Sequence, residues 1–142
     1  MTHCPFCEII HHAAPAEILF ENDQAIAVLD IRPIHLGHAL IIPKHHGATL
    51  LDLPTESLGG LMEATQVICR AMVSGLDLEG FNIFSNNGKT AGQSVFHFHW
   101  HVTPRYPDDN IRFELELKQY SDGEMAEYGQ MVTALFREKE DS

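Results

Sequence analysis

Three histidines that alternate with large apolar residues near residue 100 constrain the fold more than any other stretch of the chain. They lie in the order His97-Phe98-His99-Trp100-His101-Val102. Successive side chains of a β-strand point to opposite faces, so this alternation predicts a strand from about Val95 onward. Such a strand buries its apolar residues and presents the histidines in a row on the other face, about 6.6 Å apart.

The hydrophobic pattern elsewhere predicts an α+β domain. Short apolar runs at residues 18–20, 25–29, 38–43 and 81–86 are typical of strands and, with the histidine strand, make an antiparallel sheet of about five strands. Residues 54–76 repeat apolar side chains every three or four positions, which predicts one long amphipathic helix. Shorter helices are predicted for residues 5–12 and 125–136, and a further strand for residues 113–117.

Composition narrows the class of protein. A chain of 142 residues with 44% hydrophobic content suits one compact domain. Its 20 acidic and 9 basic residues give a formal charge of −11, which disfavours nucleic acid as a partner. No apolar run approaches the roughly 20 residues that cross a bilayer, and the start shows no signal-peptide pattern, so we expect no membrane partner. With three cysteines, an odd number, these features predict a cytoplasmic protein.

The first chemical feature is the pair Cys4-x-x-Cys7. Two thiolates at this spacing make half of a tetrahedral zinc site, which needs two further ligands from elsewhere in the chain. A pair of reduced structural cysteines without metal is the alternative, and the spacing alone leaves both open.

Two further features suit a phosphorylated ligand. Gly92-Gln93-Ser94 offers main-chain N–H groups and a hydroxyl just before the histidines, and such corners form concave anion sites. A neutral imidazole with one free nitrogen is a nucleophile able to attack phosphorus.

Asp30 follows an apolar run, where it is either a turn former or a ligand-binding carboxylate.

Several motifs in this order resemble the histidine triad (HIT) family. They are Cys4-Pro5-Phe6-Cys7, Asp30-Ile31-Arg32-Pro33, Gly37-His38, Ile42-Pro43-Lys44-His45-His46, Gly92-Gln93-Ser94 and His97-Phe98-His99-Trp100-His101-Val102-Thr103. The likeness covers residues 3 to about 106. It implies a single HIT-like domain over residues 1–142, with a core at about 3–106, a C-terminal extension at 107–142, and a homodimer.

The resemblance also implies a role for each matched residue. His99 is expected to be the nucleophile, with His101 and His38 to orient or polarise it and Ser94 to assist the leaving group. Asp30 is expected to bind the ribose hydroxyls. The remaining nucleotide-binding positions implied are Phe6, Ile31, Leu40, Asn86, Gly92, Gln93 and, again, Ser94. The zinc ligands implied are Cys4, Cys7, His46 and His97, with the zinc structural.

The activity implied is hydrolysis at the α-phosphate of a purine nucleotide conjugate, an adenosine phosphoramidate or a diadenosine polyphosphate. The reaction passes through a covalent nucleotidyl-histidine and requires no catalytic metal. Four alternatives stay open at this point: a nucleotidyltransferase of the same superfamily, a tri-histidine metal enzyme, a metal-binding module, and a regulatory nucleotide-binding protein without turnover.

Overall fold

The structure, a computed structural model, describes residues 3–140. Five strands form one antiparallel sheet in the order β1-β2-β3-β5-β4. The strands are β1 (Ile18–Glu21), β2 (Ala25–Leu29), β3 (Ala39–Pro43), β4 (Gly80–Phe84) and β5 (Trp100–Arg105). The helices are α1 (Pro5–Ile10), α2 (Leu58–Leu76) and α3 (Glu124–Glu140). The predicted α+β class is confirmed.

The central strands β2 and β3 are covered on both faces. Alternate residues on one face are Ala25, Ala27, Ala39 and Ile41, and they share a core with Leu61, Ala64, Ile68 and Met72 of α2. The opposite face carries Ile26, Val28, Leu40 and Ile42, which pack with Phe6 of α1. Burial on both faces explains why these strands consist almost entirely of apolar residues. The long helix therefore supports the sheet from one side and α1 from the other.

The histidine strand is shorter than its sequence pattern predicts. β5 begins at Trp100; residues 95–99 lie outside the sheet, and residues 95–97 of that segment form bends. There the main-chain N–H of Phe98 donates to the Gly47 carbonyl, 2.7 Å away. The predicted strand is therefore wrong for residues 95–99, and the three imidazoles do not form one row. The predicted apolar face is confirmed, because Phe98 and Val102 are buried in the core.

The chain divides into two compact units, one ending at Ile111 and the other beginning at Arg112. Asp109 lies near the end of the first unit and holds the chain there through hydrogen bonds. Its carboxylate accepts hydrogen bonds from the Arg105 guanidinium and from the main-chain N–H groups of Tyr106 and Ile111. These contacts hold the pKa of Asp109 well below its usual range.

The second unit consists of an irregular segment and α3. The predicted helix is confirmed, but the predicted strand at residues 113–117 is wrong, because residues 111–120 form no strand. Alternation alone is insufficient, since a strand also needs a neighbour to pair its backbone groups. None of the helices within residues 3–140 is long and apolar enough to cross a membrane.

Candidate active site

A cavity of about 400 Å³ lies between α1, the adjoining ends of β2 and β3, and the segment that leads into β5. Its wall is mainly apolar and includes Phe6, Ile9, Val28, Ile31 and Leu40. The polar side chains in the wall are those of Asp30, Ser94, His99 and His101. An apolar wall with a few converging polar groups is typical of a site for a small organic ligand.

His99 is held in one tautomer at this cavity. Its Nδ1 donates to the main-chain carbonyl of His97, 2.8 Å away, so the neutral ring keeps its lone pair on Nε2. The ring is 8% exposed and packs edge-on against Phe6, with the ring centres 4.8 Å apart. Burial lowers the pKa of His99, against the opposing effects of the His97 carbonyl and Asp30. A neutral imidazole with a free nitrogen follows.

His101 lies beside His99 and is joined to a second buried histidine. The ring centres of His99 and His101 are 5.0 Å apart, and Phe84 stacks on His101 at 4.5 Å. His101 Nδ1 lies 2.9 Å from Nε2 of His38, and that same Nε2 is 3.6 Å from an Asp30 carboxylate oxygen. Burial lowers the pKa of His101 to about 4, with further lowering by His99 and His38 and opposition from Asp30.

The three histidines of the triad do not point toward a common centre. His97 directs Nδ1 toward Cys4 and Cys7 at the start of α1 and donates from Nε2 to the Pro43 carbonyl at 2.8 Å. His99 uses Nδ1 for a carbonyl, and His101 uses Nδ1 for His38. A tri-histidine metal centre needs one nitrogen from each ring at a shared point, so this arrangement disfavours that alternative.

The cysteine pair and two histidines converge at the other side of α1. Cys4 Sγ lies 3.4 Å from His97 Nδ1, and Cys7 Sγ lies 3.3 Å from His46 Nδ1 and 3.6 Å from His97 Nδ1. The two histidine nitrogens are 3.1 Å apart. In a tetrahedral site with Zn–S bonds of about 2.3 Å and Zn–N bonds of about 2.05 Å, sulfur and nitrogen ligands lie about 3.6 Å apart and two nitrogens about 3.3 Å. The four donors therefore fit zinc.

Protonation at this cluster also suits a metal. The Pro43 carbonyl accepts a hydrogen bond from His97 Nε2, which leaves Nδ1 as a lone-pair ligand; histidines that bind metals commonly donate their other ring N–H in this way. Burial and the adjacent Cys4 thiol raise the pKa of Cys7 to about 11. Two thiolates this close repel each other, and a divalent cation is the natural source of compensating charge.

The loop before the histidines is built on glycines and one buried glutamine. Gly88 and Gly92 have positive φ angles of 94° and 95°, a conformation that favours glycine. Gln93 is 5% exposed; its amide nitrogen donates to the Ala48 and Val95 carbonyls and its oxygen accepts from the Gly88 N–H. These ties leave Ser94 exposed at the cavity.

The structure brings most of the predicted site residues to one wall. Those lining the cavity are Phe6, Asp30, Ile31, Leu40, Ser94, His99 and His101. His38 lies behind His101. Asn86, Gly92 and Gln93 do not line this cavity: Gly92 and Gln93 shape the loop, and a Cβ on Gly92 would lie 3.6 Å from the Asn86 amide nitrogen. Their roles toward a nucleotide stay predictions.

Several groups that hold the site together are not among the residues that the sequence predicts. Phe84 stacks on His101, and the carbonyls of Pro43 and His97 each fix one imidazole. The main-chain N–H of Ile34 also reaches His38 Nδ1, at 3.0 Å. Three of these four are backbone groups, which side-chain patterns do not reveal. Phe84 could have been found, because it lies in the strand predicted at residues 81–86 and pairs with His101 in β5.

Comparison with known proteins identifies relatives of this chain. The model of the HIT domain family matches residues 11–108. Adenylylsulfatase HINT3 of Arabidopsis thaliana is 35% identical over 134 residues, covering 94% of this chain and 68% of that protein. Adenosine 5′-monophosphoramidase HNT1 of Saccharomyces cerevisiae is 44% identical over 102 residues, covering 72% of this chain and 62% of that protein.

A solved structure with the same fold bears on the metal site. The zinc-bound histidine triad family protein of Mycobacterium smegmatis superimposes with a TM-score of 0.72 at 39% identity. The match covers 92% of this chain and 96% of that one.

Proposed function

The chain belongs to the HIT domain family, and from this premise we propose that it hydrolyses purine nucleotide conjugates at the α-phosphate, with His99 as the nucleophile. Family membership supports a nucleotide hydrolase in general. The particular substrate and the covalent route are the proposal. The observation that carries it is the single tautomer of His99, whose free Nε2 belongs to a ring in the cavity wall.

The cavity divides into regions that suit the parts of a nucleotide. The apolar side chains of Phe6, Ile9 and Leu40 suit a purine ring, and the Asp30 carboxylate suits the paired hydroxyls of a ribose. Ser94, His99 and His101 then face the phosphate. Apolar contacts discriminate poorly between purines, so we expect specificity to depend on the leaving group more than on the base.

The reaction consists of two displacements. In the first, the lone pair of His99 Nε2 forms a bond to the α-phosphorus, and the bond to the leaving group breaks with its electron pair on the departing atom, assisted by the Ser94 hydroxyl. In the second, a water oxygen forms a bond to phosphorus and its proton is released to solvent, while the P–N bond breaks and its electron pair returns to Nε2. Two inversions give retention at phosphorus. N–H and O–H donors around the phosphate stabilise the charge that develops on its oxygens.

We favour an adenylyl group joined to a small leaving group as the substrate. Two relatives are named as an adenylylsulfatase and an adenosine 5′-monophosphoramidase, and both names describe an enzyme that acts on such a compound. A formal charge of −11 also disfavours a long polyphosphate held at the surface. Diadenosine polyphosphates are the competing class.

A substrate panel with matched variants tests the proposal. Adenosine 5′-phosphoramidate, adenylyl sulfate and diadenosine tetraphosphate are compared with wild-type protein, His99→Ala and His12→Asn. We expect His99→Ala to lower kcat at least about 10³-fold while AMP still binds. His12 is exposed and outside the cavity wall, so His12→Asn should retain activity. Full activity in His99→Ala would refute the nucleophile, and binding without turnover in wild-type protein would favour a regulatory nucleotide-binding protein.

We also propose that Cys4, Cys7, His46 and His97 hold a structural zinc. When bound, zinc supplies a fixed tetrahedral link and no reaction step. These ligands would tie α1 to the chain after β3 and to the segment before β5, next to Phe6 and His99. Metal analysis should find about one zinc per chain in wild-type protein and in Cys69→Ala, whose cysteine is buried in the core. Cys4→Ser should lose it; zinc retained in Cys4→Ser would contradict the assignment.

A homodimer is the remaining proposal about partners. β4 is an edge strand of the sheet, and its Phe81 and Ile83 side chains are 39% and 46% exposed. Pairing of this edge with a second copy would extend the sheet and cover both side chains. Light scattering should give a dimer mass for wild-type protein and a monomer for Phe81→Lys; a wild-type monomer would contradict the proposal. A cytoplasmic location stays a prediction.

A further inference from the structure

A main-chain group outside the cavity contacts the histidine pair behind it. The N–H of Ile34, in the loop between β2 and β3, points at Nδ1 of His38 at 3.0 Å. His38 is 2% exposed, so bulk water does not compete for this contact. Ile34 itself is 42% exposed, and its side chain does not line the cavity. Its contribution to the site therefore comes from the backbone.

A donor at this position decides where the His38 proton resides. A proton on Nδ1 would face the Ile34 N–H head-on, whereas an unprotonated Nδ1 accepts it. In the neutral ring the proton must then be on Nε2. Two acceptors lie near this nitrogen, His101 Nδ1 at 2.9 Å and an Asp30 oxygen at 3.6 Å. The shorter contact makes His101 Nδ1 the acceptor.

The direction of that hydrogen bond in turn fixes His101. Because Nδ1 of His101 accepts, its ring proton is on Nε2, where it is available as a donor. If the hydrogen bond ran in the opposite direction, from His101 to His38, the His101 proton would be on Nδ1 and Nε2 would carry only a lone pair. His99 already presents a bare nitrogen, so the cavity would then offer two lone pairs to an anionic phosphate. One amide therefore decides whether His101 attracts or repels the ligand.

We propose that the Ile34 main-chain N–H is a positioning group of the active site, which sets the tautomers of His38 and His101 so that His101 presents a neutral N–H to the phosphate. The inference rests on the proposed function for its substrate. Burial supports it, since the pKa of both rings is lowered, and for His101 the value falls to about 4. His101 then acts as an uncharged donor over the neutral pH range.

The same contact opposes metal binding at a second cluster. Asp30, His38 and His101 each offer one donor atom within 4.8 Å of the others, a spacing that could accommodate a cation. Ligation through His38 Nε2 would move its proton to Nδ1, against the Ile34 N–H. The amide therefore favours the hydrogen bond from His38 to His101 over a metal at this position.

Replacement of the Ile34 amide by an ester is the direct test. Incorporation of the α-hydroxy analogue of isoleucine at position 34 removes the N–H and keeps the side chain. Ile34→Pro is a second variant that removes the same donor, and Ile34→Ala is the matched control that keeps it. Nitrogen NMR of the histidine rings reports which nitrogen of His38 and His101 is protonated, and it needs no substrate.

The expected result is a change of tautomer in both variants that lack the N–H and none in Ile34→Ala. Hydrolysis of adenosine 5′-phosphoramidate should fall about 10-fold or more in kcat/KM for the ester, and less than about twofold for Ile34→Ala. Unchanged histidine tautomers in the ester variant would overturn the inference. A tautomer change with normal kcat/KM would also overturn the inference, because it would show that the tautomers of His38 and His101 do not matter for the reaction. If wild-type protein lacks turnover, the proposed function fails separately, and weaker AMP binding by the ester variant still supports the positioning role.

Discussion

Thr65 of α2 anchors the histidine strand from the side of the sheet opposite the cavity. The indole N–H of Trp100 donates to Thr65 Oγ1 at 2.7 Å, and the Thr65 hydroxyl donates to the Leu61 carbonyl at 2.9 Å. Thr65 is 2% exposed. Thr65→Val keeps the shape of the side chain and removes the acceptor, which leaves the indole N–H without a partner. An unsatisfied buried donor costs about 1–3 kcal/mol, and because Trp100 is half-buried we expect the lower end, about 1 kcal/mol or roughly 4 °C in Tm for a domain of this size.

The chain provides its own reporter for this measurement, since Trp100 is its single tryptophan. Urea unfolding followed by tryptophan fluorescence should show a lower midpoint for Thr65→Val with an unchanged slope. Thr55→Val, at an exposed position of the same unit, should stay within about 0.5 kcal/mol of wild type.

A double-mutant cycle separates the indole contact from general packing. In a Trp100→Phe background, followed by circular dichroism, Thr65→Val should cost less than about 0.5 kcal/mol because no indole N–H remains. An equal cost in both backgrounds would refute the reasoning.

Three further predictions concern pH, the glycine loop and the ribose. Between pH 7.5 and 5.5 the free energy of unfolding should fall, because unfolded His38 and His101 take up protons near pH 6.5 whereas the folded rings, whose pKa is lowered, take up fewer. Each additional proton bound by the unfolded chain changes the free energy of unfolding by about 1.4 kcal/mol per pH unit; allowing for the partial exposure of His101, we expect His38 and His101 together to lower it by about 1–2 kcal/mol. A His38→Gln/His101→Gln variant with the same pH dependence as wild-type protein would contradict this. Gly88→Ala should lower the free energy of unfolding by about 1–3 kcal/mol, because the φ angle at Gly88 is 94°. Gly75→Ala in α2, where an added Cβ meets nothing within 4 Å, should raise it by about 0.5–1 kcal/mol. Equal melting temperatures for Gly88→Ala and wild-type protein would show that glycine is not needed at position 88. Asp30→Asn should lower kcat/KM about 10-fold for an adenosine conjugate but less than twofold for its 2′,3′-dideoxy analogue, and equal losses would remove Asp30 from ribose recognition.

The resemblance to the HIT family indicated seven of the residues that line the cavity, and sequence patterns identified the sheet and the long helix. They succeeded where burial dictates composition: the continuous apolar runs of β2 and β3 have both faces covered, and α2 has one buried stripe. They failed at residues 95–99, where alternation continues but the backbone leaves the sheet. The Phe98 N–H pairs with the Gly47 carbonyl instead of a strand neighbour. Side-chain periodicity does not report which backbone groups pair.

The same limit explains what sequence could not say about the histidines. The resemblance of the triad to the HIT family implied chemistry at phosphorus, but the tautomers of its imidazoles depend on the carbonyls of Pro43 and His97 and on the amide of Ile34. Every residue type except proline supplies the same main-chain donor and acceptor. Which nitrogen of each imidazole carries the proton, and so which role each histidine can take, therefore depends on the fold.

The central claim is that a neutral His99 attacks phosphorus, and trapping of the intermediate tests it most directly. Wild-type protein is mixed with adenosine 5′-phosphoramidate, quenched within one turnover at alkaline pH, digested, and analysed by mass spectrometry. A covalent route through His99 requires an adenylyl group on the peptide that contains His99, with fragmentation placing it on that residue, and none in His99→Ala. An adduct on another side chain, or rapid turnover through a single inversion with no adduct, would contradict it.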